Sequence, residues 1–484
     1  MNSSTALDPW QFRLARGTAS GPDTRQLGAY VLSAGPEIEL IDLTDRQGRS
    51  LGVLFGFPID LKEKKCLLGP HQIDFDWVGD ADDFAERVLE RFGGLFIWFF
   101  INDDIARIYL DSGGRVSCVY DPNAQVVGST AHALLDEAEY QARFNTGLFD
   151  RLGVDKEGWF PAGLTAHDGI KRLLPNHRLD LSDWQARRHW PRGPLQPVDN
   201  PEDAISEIVT ILQDQLEAML GHPKAVAQAL TAGHETRMLL AVARAHVDQI
   251  DFVTVVGPDR HAIDSAMARR IAESEGLRHR ELPRRNATEE QRQLFIRRGG
   301  HCVVDSNSRY APSVAPIAGT HNFIGGLGGE LARAFLWHDS DTPDLKLTPE
   351  RLLRRYGLPD EQVLYEPLQT WLDAVPSENG LDVLDLAYIE NRMGPWSAGQ
   401  FYNDPTLVRY APLFTRRATE LMLGLPPDWK RQERLSEEVV RQAWPELARY
   451  PYNRVGLIQG LTTKALRVWE DPGIVRRKLR KMRG

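Results

Sequence analysis

The stretch Ala225-Val-Ala-Gln-Ala-Leu-Thr-Ala-Gly-His-Glu-Thr-Arg237 decides how this chain of 484 residues is organised. Its first six residues read as a short buried strand, and a helix is expected from about Glu235. Between them lies a turn of small residues. A strand that runs through such a turn into a helix N-terminus aims free backbone N–H groups and a positive dipole end at one point, which suits a phosphate chain. Thr231 and Thr236 add hydroxyls, and Arg237 adds a cation. Taken alone, with the single glycine Gly233, the loop reads equally well as a plain structural turn.

Outward from this loop the same alternation continues. Phe252-Val-Thr-Val-Val256 reads as a second strand, His261 to Glu275 as a helix stopped by Gly276, and Arg278 to Leu282 as a third strand. Upstream, Asn200 followed by Pro201-Glu-Asp203 is an N-cap with proline in the first turn; Ile205, Ile208, Leu212, Leu216 and Met219 then share one face, predicting a helix to about Leu220. Strands alternating with helices specify a parallel sheet, whose ligands bind beyond the carboxyl ends of its strands. From about residue 345 the pattern is mostly helical. Before about residue 190 the period is 2: Leu51–Phe57, Gly94–Ile101, Ala106–Leu110 and Arg115–Tyr120 alternate with turns such as Asp111-Ser-Gly-Gly114, predicting a β-rich domain of hairpins. Trp190 to Asn200, with Pro191, Pro194 and Pro197, reads as the linker, and no internal repeat occurs.

Composition bounds the function. Lys and Arg number 58 against 67 Asp and Glu, a net charge of −9, with 42% hydrophobic residues. The acidic balance and evenly spread aromatics argue against a dedicated nucleic-acid binder and against a disordered chain. Cys66, Cys118 and Cys302 are far apart and lack CxxC spacing, which fits a reducing compartment. Met1 to Arg13 has no secretory pattern and no long apolar run occurs, so the expectation is a cytoplasmic protein without a membrane span.

The loop and its surroundings resemble the asparagine synthetase family, whose pyrophosphate loop reads Ser-Gly-Gly-x-Asp-Ser. Thr231, Ala232, Gly233, His234, Glu235 and Thr236 hold those six places here. Val253-Thr-Val-Val-Gly257, Asp264-Ser-Ala-Met-Ala268 and Leu277-Arg-His279 resemble the family's next strand, its helix and its entry to the third strand. Gly325-Gly-Leu-Gly-Gly-Glu-Leu331 resembles the glycine-rich turn carrying an acid that meets the first loop's acid over magnesium. Arg91-Phe-Gly-Gly-Leu-Phe96 and Gly169–His177 resemble parts of its N-terminal nucleophile (Ntn) glutaminase domain. The resemblance implies an Ntn-hydrolase-like β-sandwich domain over residues 1–192. Residues 199–484 would then form an ATP-pyrophosphatase (adenine nucleotide α-hydrolase-like) domain, with a parallel sheet and a helical extension.

It also implies ATP and Mg²⁺ as cofactors. Glu235 and Glu330 would be the metal ligands; Thr231, Ala232, Gly233, His234, Thr236, Gly326 and Gly328 would cradle pyrophosphate; Val255 and Gly257 would lie under adenine. Hard carboxylate oxygens suit Mg²⁺; the alternative is that both glutamates are helix-start acids solvated near positive dipole ends.

The pattern also fails in places. Glutamine-using members carry a cysteine at position 2, where this chain has Asn2, and Cys66 is expected in a loop; no glutaminase activity is expected. Ala232 replaces a loop glycine. The family's late lysine has no counterpart in Arg449-Tyr-Pro-Tyr-Asn-Arg454, leaving Arg454, Lys430 or Arg237 as candidate catalytic cations. The implied activity is AMP-forming ligation of a small-molecule or peptide carboxylate to an amine in specialised biosynthesis, with a homodimer or a partner enzyme allowed. The competing expectations are a catalytically silent binding or partner protein, and nucleotide hydrolysis or phosphoryl transfer. His301-Cys302 near Asp305 reads as packing, and the basic tail Ile474–Gly484 as a solvated end or a short amphipathic helix.

Overall fold

Phe92–Ile101 is apolar at nearly every position because it is covered on both sides. In the computed structural model, which describes residues 7–21, 23–257, 262–304 and 306–452, its side chains alternate between two cores. Leu95, Ile97, Phe99 and Ile101 join the main core, whereas Phe96, Trp98 and Phe100 pack with Phe84, Ala85 and Val88 of the helix Ala81–Arg91. That is the period-2 signature of a strand buried on both faces. It pairs antiparallel with Ser50–Asp60, Val53 opposite Phe99 and Asp60 opposite Phe92, at the centre of an eight-stranded sheet.

A second, six-stranded sheet centred on Phe12–Arg16 lies on its other face; the Phe12 ring sits 4.9 Å from Phe55 and 5.2 Å from Phe99. Burying such rings contributes roughly 1.5–3 kcal/mol each. The far side of this sheet is covered by Leu134 and Tyr140 of two short helices. The N-terminal half is thus layered helix, sheet, sheet, helix.

Two expectations there need correction. Cys66 sits not in a loop but in the two-residue strand Lys65–Cys66. Arg115–Tyr120 is not one strand: pairing starts only at Val119, because the Asp111 carboxylate accepts the N–H groups of Gly113 and Arg115 and bends the backbone away from the ladder.

Beyond the prolines, α1 (Pro201–Leu220) starts where Asn200 accepts the Glu202 N–H. The parallel sheet follows: β1 (Ala225–Ala229), α2 (His234–Val242), β2 (Ile250–Val256), α3 (Ala262–Glu275), β3 (His279–Pro283), β4 (His321–Ile324) and β5 (Arg409–Tyr410). Its order is β3-β2-β1-β4-β5, all parallel. The chain therefore reverses its winding between β1 and β4, the topological switch point at which open α/β sheets bind ligands.

The two halves share one continuous core. Their junction is polar as well: the fully buried Glu390 takes both Arg188 guanidinium nitrogens at 2.6 and 2.7 Å, Asn176 Nδ2 at 3.0 Å and Trp371 Nε1 at 2.7 Å. Glu390 lies in a single π-helical turn, Tyr388–Met393, leading into α4 (Gly394–Asn403). No described helix is long and apolar enough to cross a membrane.

Candidate functional site

A cavity of about 990 Å³ opens at the carboxyl ends of the five parallel strands. Ala229 and Thr231 line it from β1, Val253 and Val255 from β2, Leu282 from β3, Phe323 and Gly325 from β4, and Tyr410 from β5. The loops after β1 and β4, which sequence singled out, are its two neighbours at the switch point.

The loop after β1 is internally bonded. Thr231 Oγ1 lies 2.8 Å from Thr236 Oγ1 and accepts the Gly233 N–H at 3.0 Å, while Asp264 accepts the Ala232 N–H at 3.2 Å. Thr236 also donates to the Gly233 carbonyl at 3.3 Å. Two amides expected to face a phosphate are thus already engaged. His234 stacks flat on Tyr452, ring centroids 4.1 Å apart, rather than facing the cavity lining.

Glu235 and Glu330 do converge, on a residue the sequence reading missed. One guanidinium nitrogen of Arg333 reaches Glu235 Oε1 at 2.7 Å and Glu330 Oε1 at 3.3 Å. The other Glu330 oxygen accepts the Gly328 N–H at 3.0 Å. Burial pushes the Glu235 carboxyl upward, Glu330 adds to the push, and Arg333 opposes it. The glycine-rich turn makes room for this side chain: a Cβ on Gly326 would stand 2.6 Å from Glu235 Cβ, and one on Gly329 2.8 Å from its Cγ. Gly328, at φ +105, takes a backbone shape that favours glycine. Gly257 is likewise packed against the Arg284 guanidinium. The donors fit Mg²⁺ in kind and convergence, with a guanidinium standing between them.

Two of the three cations expected at the site are engaged away from the cavity lining. Arg237 is fully buried and donates to the carbonyls of Leu447, Tyr450 and Pro451, so it anchors the chain folded over α2. Lys430, also buried, pairs with Asp385 at 2.7 Å and donates to the Leu423 carbonyl at 2.6 Å. Neither lines the cavity, and Arg454 lies outside the described residues. Five other arginines line it: Arg115, Arg284, Arg292, Arg309 and Arg409.

His301 hydrogen-bonds Tyr140 at 2.8 Å inside a ring cluster with Phe144 and His167, and Cys302 is buried; Asp305 and the basic tail lie outside the described residues. Cys66, Cys118 and Cys302 form no disulfide among the described residues. Among the described residues, one other group has ligand atoms close enough for a metal: Asp60, Glu63 and His71, where Arg91 and His71 already hold Asp60 at 2.7 and 2.8 Å.

The fold and site together define an open α/β protein with an arginine-lined cavity at its switch point. Among solved structures, the chain is similar to the NH3-dependent NAD synthetase of Campylobacter jejuni subsp. jejuni in complex with nitrate, at 11% identity, covering 27% of this chain and 58% of that one, TM-score 0.18. It is similar to NMN synthetase from Francisella tularensis at 11% identity over 37% of this chain and 73% of that one, TM-score 0.19. NAD+ synthetase from Burkholderia pseudomallei matches at 13% identity, over 53% of this chain and 91% of that one, TM-score 0.18. At these scores the likenesses carry no argument about this site. No family model matches the chain, and no curated protein matches it.

Proposed function

We propose that this chain is an ATP-dependent, AMP-forming amide ligase of asparagine-synthetase type, working without glutamine hydrolysis on an Ntn-like scaffold. The observation that carries this reading is the cavity at the switch point, with an apolar wall at Val253 and Val255, five arginines in its lining, and the 231–236 and 325–331 segments beside it. A carboxylate oxygen attacks the α-phosphorus of ATP, the bond to the bridging oxygen breaks, and pyrophosphate leaves. An amine nitrogen then attacks the acyl carbon, AMP leaves, and the nitrogen loses a proton. The protein's part is positioning and charge stabilisation: the adenine lies on Val253 and Val255, and the arginines balance phosphate charge. Glu235 and Glu330 would hold Mg²⁺, which when bound screens the phosphate oxygens.

Calorimetric titration of the full chain with ATP and Mg²⁺ tests this. Saturable binding that Val255→Arg abolishes is expected, with AMP as the nucleotide product once an acid is turned over; absent binding, or ADP as product, overturns it.

One observation favours the silent binding protein instead: Arg333 already bridges the acidic pair and offsets part of its charge. If the arginine only masks a metal site, Arg333→Met should make the protein gain on the order of 1 kcal/mol of stability in millimolar Mg²⁺, where the parent gains little. An equal response in both proteins favours the silent reading.

A further inference from the structure

The large cavity lies at the carboxyl ends of the parallel strands, and the amino ends of three of them border another. Lys224 stands immediately before β1, Ala318 and Gly319 in the turn before β4, and Pro405 and Thr406 in the turn before β5. These entries are tied into one rim: the Gly319 N–H donates to the Thr406 carbonyl at 2.7 Å, and the Ala225 N–H to the Thr320 carbonyl at 3.1 Å. Trp10, Glu37 and Phe57 of the N-terminal half close the other side, leaving about 450 Å³ between the halves. Small-molecule sites span roughly 300–1,000 Å³, so the space suits a small ligand.

The lining combines an aromatic wall with one charge of each sign. The Trp10 and Phe57 rings meet edge to face at 5.1 Å, with the Phe401 ring 5.3 Å from Trp10. Glu37 and Lys224 supply the charges, and neither side chain makes an ion pair or hydrogen bond among the described residues, with the other or with anything else. The Trp10 indole Nε1 also lacks an acceptor, on a residue only 3% exposed. Trp10 and Glu37 both hold positive φ, +63 and +68, a strained backbone shape for residues with long side chains and one that concentrates at ligand clamps. No cysteine, serine or histidine lines this cavity, and its one hydroxyl, on Thr406, donates to Asp404 at 2.5 Å. The chemistry on offer is binding, not reaction.

We propose that this cavity binds a free α-amino acid with an aromatic or large aliphatic side chain. The side chain lies against Trp10 and Phe57, the carboxylate takes Lys224 and the Trp10 N–H, and the ammonium takes Glu37. A ligand with a single charge would leave one of the two side chains unanswered, and a polar side chain would gain nothing from the aromatic wall. The site shares no lining residue with the large cavity and does not rest on the ligase reading. Because its walls come from both halves, an occupant stabilises their junction and acts as an effector of the whole chain.

The test is calorimetric titration of the full chain with L-phenylalanine, L-tryptophan, L-leucine and L-methionine, each beside its amide and its N-acetyl form, with L-glutamine as the polar control. At least one of the four should bind and raise the melting temperature. Its amide should bind roughly tenfold more weakly, and its N-acetyl form roughly threefold, because Glu37 is exposed and solvent screens it. Lys224→Met should bring the amino acid down to the level of its amide, and Glu37→Gln to that of the N-acetyl form. Neither side chain is buried, so both variants should keep the parent's melting temperature without ligand. The proposal is overturned if none of the four binds, if the amide and the N-acetyl form bind as well as the free amino acid, if glutamine binds as tightly, or if either variant binds like the parent.

Discussion

The two sides of the cavity are built to opposite rules. On the β1 side, Thr231, Gly233, Thr236, Ala232 and Asp264 answer one another, and the acids beyond them answer Arg333. On the β5 side, Arg115 and Gln400 hold donors that nothing among the described residues accepts. A closed network sets a shape and resists change, whereas an open one leaves free energy for a ligand to recover. The first side is tied together within itself, and the second leaves donors open.

Mutations should separate the sides by the sign of their effect on stability. The largest loss is expected at the most fully closed network, the junction around Glu390. Glu390→Ala strands the buried Arg188 and should cost about 3–5 kcal/mol in urea unfolding. If Arg115→Met costs as much, Arg115 belongs to the closed class.

A second test uses acid. Burial lowers His167 to about 3, and both of its ring nitrogens lack partners. Unlike Arg115, which burial lowers only to about 10, it can escape the cost of an unpaired charge by staying neutral. With a folded pKa below the unfolded one of about 6.5, its contribution is intact above that pH and is lost as pH falls, by up to about 1.4 kcal/mol per unit. His167→Phe, which keeps the ring contact with Tyr140, should flatten the decline of melting temperature between neutral and acid pH. An unchanged slope would remove His167 as its source. The smallest effect is expected at Thr231→Val, which breaks the hydroxyl pair and should cost about 1 kcal/mol in urea unfolding; an unchanged midpoint would show that the pair contributes nothing.

What could be read from sequence was local. The start of α1 at Asn200 and Pro201, the three strands β1 to β3 and the bend into α2 follow from periodicity and capping, each decided within a few residues. The pairing of Glu235 with Glu330 rested on resemblance, and a signal for Arg333 was present in its i,i+3 spacing from Glu330. For Arg237, expected as a site cation, nothing near it in sequence shows that residues 447–451 fold over it and take its donors. Arg115 could not be found at all. Its direction depends on a side-chain bond from Asp111 that overrides a strand pattern, and its cavity is closed by elements hundreds of residues later.

That last point has a kinetic side. β5 is two residues long, and Arg409 lies beside Phe323, 86 positions earlier in the chain, in a parallel pair. A parallel pairing across so long an excursion gains nothing until the intervening helices are in place, and such contacts form slowly. Until then the β4 edge is unpaired and the cavity lacks a wall. On the ribosome the wall that β5 gives the cavity forms only after residue 410 has been made, so the pocket is completed late in synthesis.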